Sequence, residues 1–138
     1  MSFLSKLFGK SKKANTQTCP ECDVQYVNYS NDYNWDDEYF AGIINSMNLP
    51  GYTVERNVHP SVFDITAHPK CYPVTFMIKQ SGQPILAVMI MKMNQTNAMI
   101  SRGTYSILED QGIRYIRFFR EMLNDSTYVI ERVKQNLY

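Results

Sequence analysis

The chain has 138 residues, enough for one domain with a sizeable core, and its 44% hydrophobic content is ordinary for a globular protein. A formal net charge of +1 excludes a global electrostatic pull toward nucleic acid, and no apolar run approaches the ~18 residues of a membrane span. Three cysteines, an odd number, and the lack of a secretory leader pattern point to a reducing cytoplasm.

Residues 1–34 read as a polar leader. At its start Phe3, Leu4, Leu7 and Phe8 share one helical face, with Lys6, Lys10, Lys12 and Lys13 largely off it. That pattern suits either membrane contact of residues 1–13 at an anionic lipid surface or a short unstructured leader. The leader is the favoured reading, because helices this short are marginal in water. Cys19-Pro20-Glu21-Cys22 follows, half of a zinc site. His68-Pro69-Lys70-Cys71 repeats its spacing, so a Cys3His zinc set of Cys19, Cys22, His68 and Cys71 is the alternative to the favoured reading, two free thiols and one buried cysteine. Residues 21–38 carry six acids and no bases.

Residues 35–138 read as one domain. Asp36-Asp37-Glu38 opens a helix, its acids suited to the positive end of the helix dipole, and Tyr39, Phe40, Ile43, Ile44 and Met47 form the apolar stripe. Leu49-Pro50-Gly51 stops it. Tyr52 to Val58 alternates as a strand, with Tyr52, Val54 and Val58 facing one way. The segment Val62-Phe63-Asp64-Ile65 either extends the sheet or forms loop.

The stretch from Cys71 to Asn94 predicts a β-hairpin. Val74, Phe76 and Ile78 alternate with Thr75, Met77 and Lys79. Gln80 to Pro84 supplies turn chemistry around Gly82. Ile85 to Met91 is an unbroken apolar run, as expected of a strand covered on both faces, and Lys92 closes it. Asn94 to Asn97 offers N-caps for a helix from about Ala98 to Asp110, stopped by Gly112. Ile113 to Phe119 reads as a strand parallel to the preceding one, since a helix intervenes; Arg114 and Arg117 then point to opposite faces. Asn124-Asp125-Ser126 caps a last helix, with Val129, Ile130, Val133 and Leu137 inward and Glu131, Arg132 and Lys134 outward. No repeat, P-loop, nucleotide-binding glycine pattern or hydrolase serine elbow is present.

This order of elements and the hairpin resemble the core of the PD-(D/E)xK nuclease superfamily. There a Pro-Asp pair opens one strand, and an acidic-x-Lys motif ends the next across a Gly-containing turn. Pro73 stands where the family's proline would; Val74 holds the place of the aspartate, Ile90 that of the second acid, and Lys92 matches the lysine. The resemblance implies an α/β, restriction-endonuclease-like α-β-β-β-α-β core, a mixed sheet flanked by helices, plus a C-terminal helix. It also implies a degenerate site. Family chemistry needs carboxylates to hold a divalent ion, and valine and isoleucine offer no hard oxygen ligand.

The expected function is therefore a non-catalytic endonuclease-like domain that binds nucleic acid, with Lys92, Arg102 and Lys79 touching phosphates and no resident cofactor other than the zinc considered above. The alternative is a protein-interaction or scaffold domain, with a protein partner or as a homodimer, using the aromatic-rich segment from Tyr26 to Tyr39. A third reading, an active nuclease, needs migrated ligands, for which Asp64 and Glu38 beside Lys92 are the candidates. The bland role of Glu38 is a solvated charge at a helix start, and that of Arg102 is solubility.

Overall fold

The computed structural model describes residues 34–138, together with the backbone of two short strands before them. Those strands, β1 (Gln17–Thr18) and β2 (Gln25–Tyr26), pair antiparallel with Gln17 opposite Tyr26. Cys19, Cys22 and residues 1–13 lie outside the described residues.

The first helix, α1 (Asp37–Ser46), begins where its acids predict: the Asp36 side chain accepts from the Tyr39 N–H at 2.9 Å. It is followed by β3 (Tyr52–Val58) and by a short 3-10 turn over Pro60–Val62, capped by His59, whose Nδ1 accepts from the Ser61 N–H. The sheet is thus not extended through Val62–Ile65. Next come β4 (Val74–Gln80) and β5 (Gln83–Met91). Their connection is tighter than the sequence suggests. Only Ser81 and Gly82 lie outside the ladder, both at positive φ, which matches the twist of a two-residue hairpin loop. Pro84 falls inside β5, opposite Lys79, where the register shifts; a bulge tolerates the missing N–H.

A second 3-10 turn, Met93–Gln95, leads to α2 (Met99–Asp110). No side chain of Asn94–Asn97 caps this helix as expected; those of Gln95 and Thr96 bond within the turn. Its N-cap is Ala98, without a side-chain bond, while Gln95 Oε1 accepts from the Lys92 N–H at 2.8 Å. Then follow β6 (Arg114–Phe119) and α3 (Ser126–Leu137), capped by Asp125.

The architecture is α/β, with a four-stranded mixed sheet ordered β3-β4-β5-β6 and three helices among the described residues. Strands β3, β4 and β5 run antiparallel in turn, and β6 is parallel to β5 across the α2 crossover. Helices α1 and α3 share one face with Phe40, Ile44, Phe76, Ile78, Leu86, Val88, Ile90 and Phe118. Helix α2 covers the other, over Val74, Met77, Ala87, Met89, Met91, Tyr105 and Leu108. Every residue from Leu86 to Met91 is fully buried, which explains the unbroken apolar run; each large side chain there contributes roughly 1.5–3 kcal/mol. Burial of Thr75 and Met77 follows from the same two-sided cover. Arg114 and Arg117 do reach opposite faces: Arg114 donates to the Asn136 carbonyl on α3, and Arg117 stacks on Tyr105 of α2. Arg132 departs from its expected outward position. It is buried, with its guanidinium 5.8 Å from the Phe118 ring centroid, so the ring face replaces water for a weakly hydrated cation. No helix among the described residues is long and apolar enough to cross a membrane.

Candidate functional site

The sequence directs attention to the end of the sheet where β4 begins and β5 finishes. Val74 and Ile90 are both wholly buried there, but their side chains do not meet. Ile90 packs on the α1/α3 side and Val74 on the α2 side. Strict alternation from Phe76 and Ile78 would place Val74 with Ile90. The change of face is shared with the neighbouring strand. Asn57 in β3 takes a left-handed backbone, φ 55°, which interrupts alternation there, and Val58 and its partner Val74 both pack toward α2. The β4–β5 ladder ends at Phe76 opposite Val88, and beyond it the Thr75 hydroxyl accepts the Ile90 N–H at 3.0 Å. A carboxylate at each of positions 74 and 90 would point into a different half of the core.

What occupies Ile90's end of the sheet is a polar network that motif reading missed. The Ile90 carbonyl accepts from the Tyr72 hydroxyl at 2.7 Å and from Arg120 Nη2 at 3.4 Å. The same Nη2 donates to Asp37 Oδ1 at 2.8 Å, and Nη1 donates to the Trp35 carbonyl at 2.8 Å. Burial pushes the Tyr72 phenol above its ordinary value, with the Arg120 guanidinium opposing. A guanidinium thus neutralises the acid on α1 that stands nearest this strand end. The signal in sequence is slight: Arg120 immediately follows the apolar strand, one position past its end.

The other expected residues are spread apart. Glu38 pairs with Arg56 at 2.6 Å, and Asp64 accepts from the Thr66 N–H at 2.9 Å and its hydroxyl at 2.6 Å, which hold its carboxyl below the usual range. Each carboxylate serves its own segment. Among the described residues, no group of three or more His, Cys, Asp or Glu side chains is placed to hold a metal ion. His68 Nδ1 accepts from the Lys70 N–H at 3.0 Å, and Cys71 is buried with a free thiol; their proposed partners, Cys19 and Cys22, are not among the described residues.

Lys92 is exposed at the exit of β5. Lys79 stands at the opposite end of the hairpin, roughly 17 Å along β4 from Val74 at ~3.3 Å per residue, and pairs with Glu55 at 3.1 Å. It does not join Lys92. Arg102 is exposed on α2, beside a cavity of about 300 Å³ between that helix and the loop before β4. Among the described residues no carboxylate pairs with Lys92 or Arg102, whereas Arg56, Lys79 and Arg120 are each paired.

The chain matches no family model, no curated protein and no solved structure.

Proposed function

We propose that the chain is a non-catalytic, restriction-endonuclease-like domain that binds nucleic-acid phosphates through Lys92, assisted by Arg102. Support for the scaffold comes from the strand order: three antiparallel strands, a helical crossover and a fourth strand parallel to the third. Fold alone does not assign a ligand, so the reading rests on one contrast. The acid positions of the motif are apolar and fully buried, while the lysine of the motif is exposed and unpaired among the described residues. Such a site holds a phosphate without activating water, since nothing beside it grips a divalent ion.

The test is fluorescence anisotropy of labelled single- and double-stranded oligonucleotides across a salt series, with Lys92→Ala and Arg102→Ala. The expected result is affinity that falls as salt rises and ignores base sequence. Lys92→Ala should weaken binding uniformly and make the salt slope shallower by about one. Affinity indifferent to both salt and the Lys92 substitution sinks the reading.

A further inference from the structure

The cavity between α2 and the loop before β4 is lined by neither Lys92 nor Arg102 and stands apart from the nucleic-acid reading. It holds about 300 Å³, at the low end of the volumes that take a small molecule. Its apolar lining comes from Ala67, Cys71, Met99, Ile100 and Ile107. Cys71 and Ile107 are buried and close it from within, whereas Met99 and Ile100 are 78% and 38% exposed. Two bonds tie its walls together. The Tyr72 N–H donates to the Ile100 carbonyl at 3.1 Å, and the Thr104 hydroxyl donates to the Tyr72 carbonyl at 2.6 Å. The cavity is therefore preformed, and an occupant has little of it to order.

Three polar side chains share the lining: Asp64, Thr66 and His68. Asp64 is the single carboxylate, and no lysine or arginine among the described residues lines the cavity. Asp64 Oδ1 accepts both the Thr66 hydroxyl at 2.6 Å and the Thr66 N–H at 2.9 Å, while Oδ2 has no hydrogen-bond partner among the described residues. Those two bonds hold the carboxyl below the usual range, so it is ionised at neutral pH. The Thr66 hydroxyl has committed its proton to Asp64 and keeps acceptor capacity alone. His68 adds no cation: its Nδ1 accepts from the Lys70 N–H at 3.0 Å, a bond that the protonated ring cannot make.

We propose that this cavity binds a small amine, with its apolar body against the aliphatic and sulfur-bearing walls and its ammonium on Asp64 Oδ2. An ammonium brings three donors and the complementary charge to a carboxylate and a hydroxyl oxygen that can both accept. A carboxylic acid would set like charges together. A wholly apolar molecule would cover the Asp64 carboxylate without pairing it. The apolar body in turn covers Met99 and Ile100, which otherwise stand in water.

The test is an amide NMR titration of the full chain with phenethylamine, and with phenethyl alcohol and phenylacetate as its neutral and anionic counterparts. The expected result is saturable binding of the amine with shifts at Ala67, Cys71 and Gly103, about tenfold tighter than the alcohol, and no binding of phenylacetate. Asp64→Asn keeps an Oδ1 acceptor for Thr66 and should bring the amine down to the alcohol's affinity, a loss of about tenfold. Ala67→Leu narrows the cavity and should weaken amine and alcohol together. Thermal unfolding checks the fold of each variant; should Ala67→Leu fail to fold, Asp64→Asn and the comparison of the three compounds decide alone. Lys92→Ala should leave the amine's affinity unaltered, so this proposal and the nucleic-acid reading stand or fall separately. The proposal is overturned if the amine does not bind at about 10 mM, or if the alcohol or the acid binds as tightly. It is equally overturned if Asp64→Asn or a folded Ala67→Leu leaves the amine's affinity unchanged, or if the shifts lie away from the cavity.

Discussion

Arg120 donates through Nη2 to Asp37 Oδ1 at 2.8 Å and so joins the residue after β6 to the first turn of α1. The pair is partly shielded, with side-chain exposures of 19% and 33%, and Nη1 holds the Trp35 carbonyl as well. Arg120→Ala is expected to cost about 2 kcal/mol, because it removes the bonds to Asp37 and to the Trp35 and Ile90 carbonyls and strands a half-buried carboxylate. Urea denaturation should show a midpoint lower by about 1 M. Arg120→Lys should recover less than half of the loss, since an ammonium cannot span both acceptors as the planar fork does.

Acids placed at positions 74 and 90 should not create a metal site. Ile90→Glu buries a carboxylate among Phe40, Phe118 and Val88 and is expected to destabilise by about 3–5 kcal/mol at neutral pH. Adding Val74→Asp places the second acid toward α2, on the other side of the sheet. Calorimetric titration with magnesium should register no binding to either variant under folded conditions. Micromolar binding by the double variant would show that the two positions share a site after all.

The left-handed backbone at Asn57 makes its own prediction. Asn57→Val forces a β-branched residue to φ 55° and should cost about 1–2 kcal/mol, while Asn57→Gly should be nearly neutral. Equal losses for the two substitutions would mean that side-chain contacts, and not backbone conformation, hold Asn57 in place.

Thr75→Val keeps shape and β-propensity but removes the acceptor of the buried Ile90 N–H. The expected cost is about 1–3 kcal/mol. Hydrogen exchange at the Ile90 amide should accelerate more than at Val88, which is inside the regular ladder. Thr75→Ser should retain most of the protection.

Tyr115 stacks on Tyr105 with ring centroids 5.0 Å apart and donates to Glu109 Oε2 at 2.8 Å. Burial first, and then the Glu109 bond, push its phenol from 10.0 up to about 12. A raised folded value favours the protonated form, so its contribution to stability is complete below the unfolded value and is lost as pH climbs from 10.0 toward about 12. Tyr115→Phe should remove that component of the alkaline loss of stability and one late-titrating phenolate from the absorbance titration. An unchanged titration curve would disprove the assignment.

Much of the architecture was readable from the chain. The run from Leu86 to Met91 predicted a strand covered on both faces, and the three-residue spacing of Arg114 and Arg117 predicted their separation. Asp36 and Asp125 predicted helix starts. These features depend on the direction a side chain takes within a single element, which the local backbone sets. Where local signals competed, the reading failed: Asn94–Asn97 have the chemistry of helix caps but make a 3-10 turn, and Arg132 finds an aromatic face instead of water.

Sequence by itself determined the succession of elements, the two-sided cover of β5, and the absence of carboxylates at positions 74 and 90. Only the tertiary structure decided that Val74 and Ile90 face opposite halves of the core and that Arg120 finds Asp37 across 83 positions of chain. The reason is physical: periodicity reports orientation relative to a residue's own strand or helix, whereas partners and exposure depend on how separate elements stack. Beside the left-handed Asn57, Val58 and Val74 pack on a face that alternation alone would have assigned wrongly.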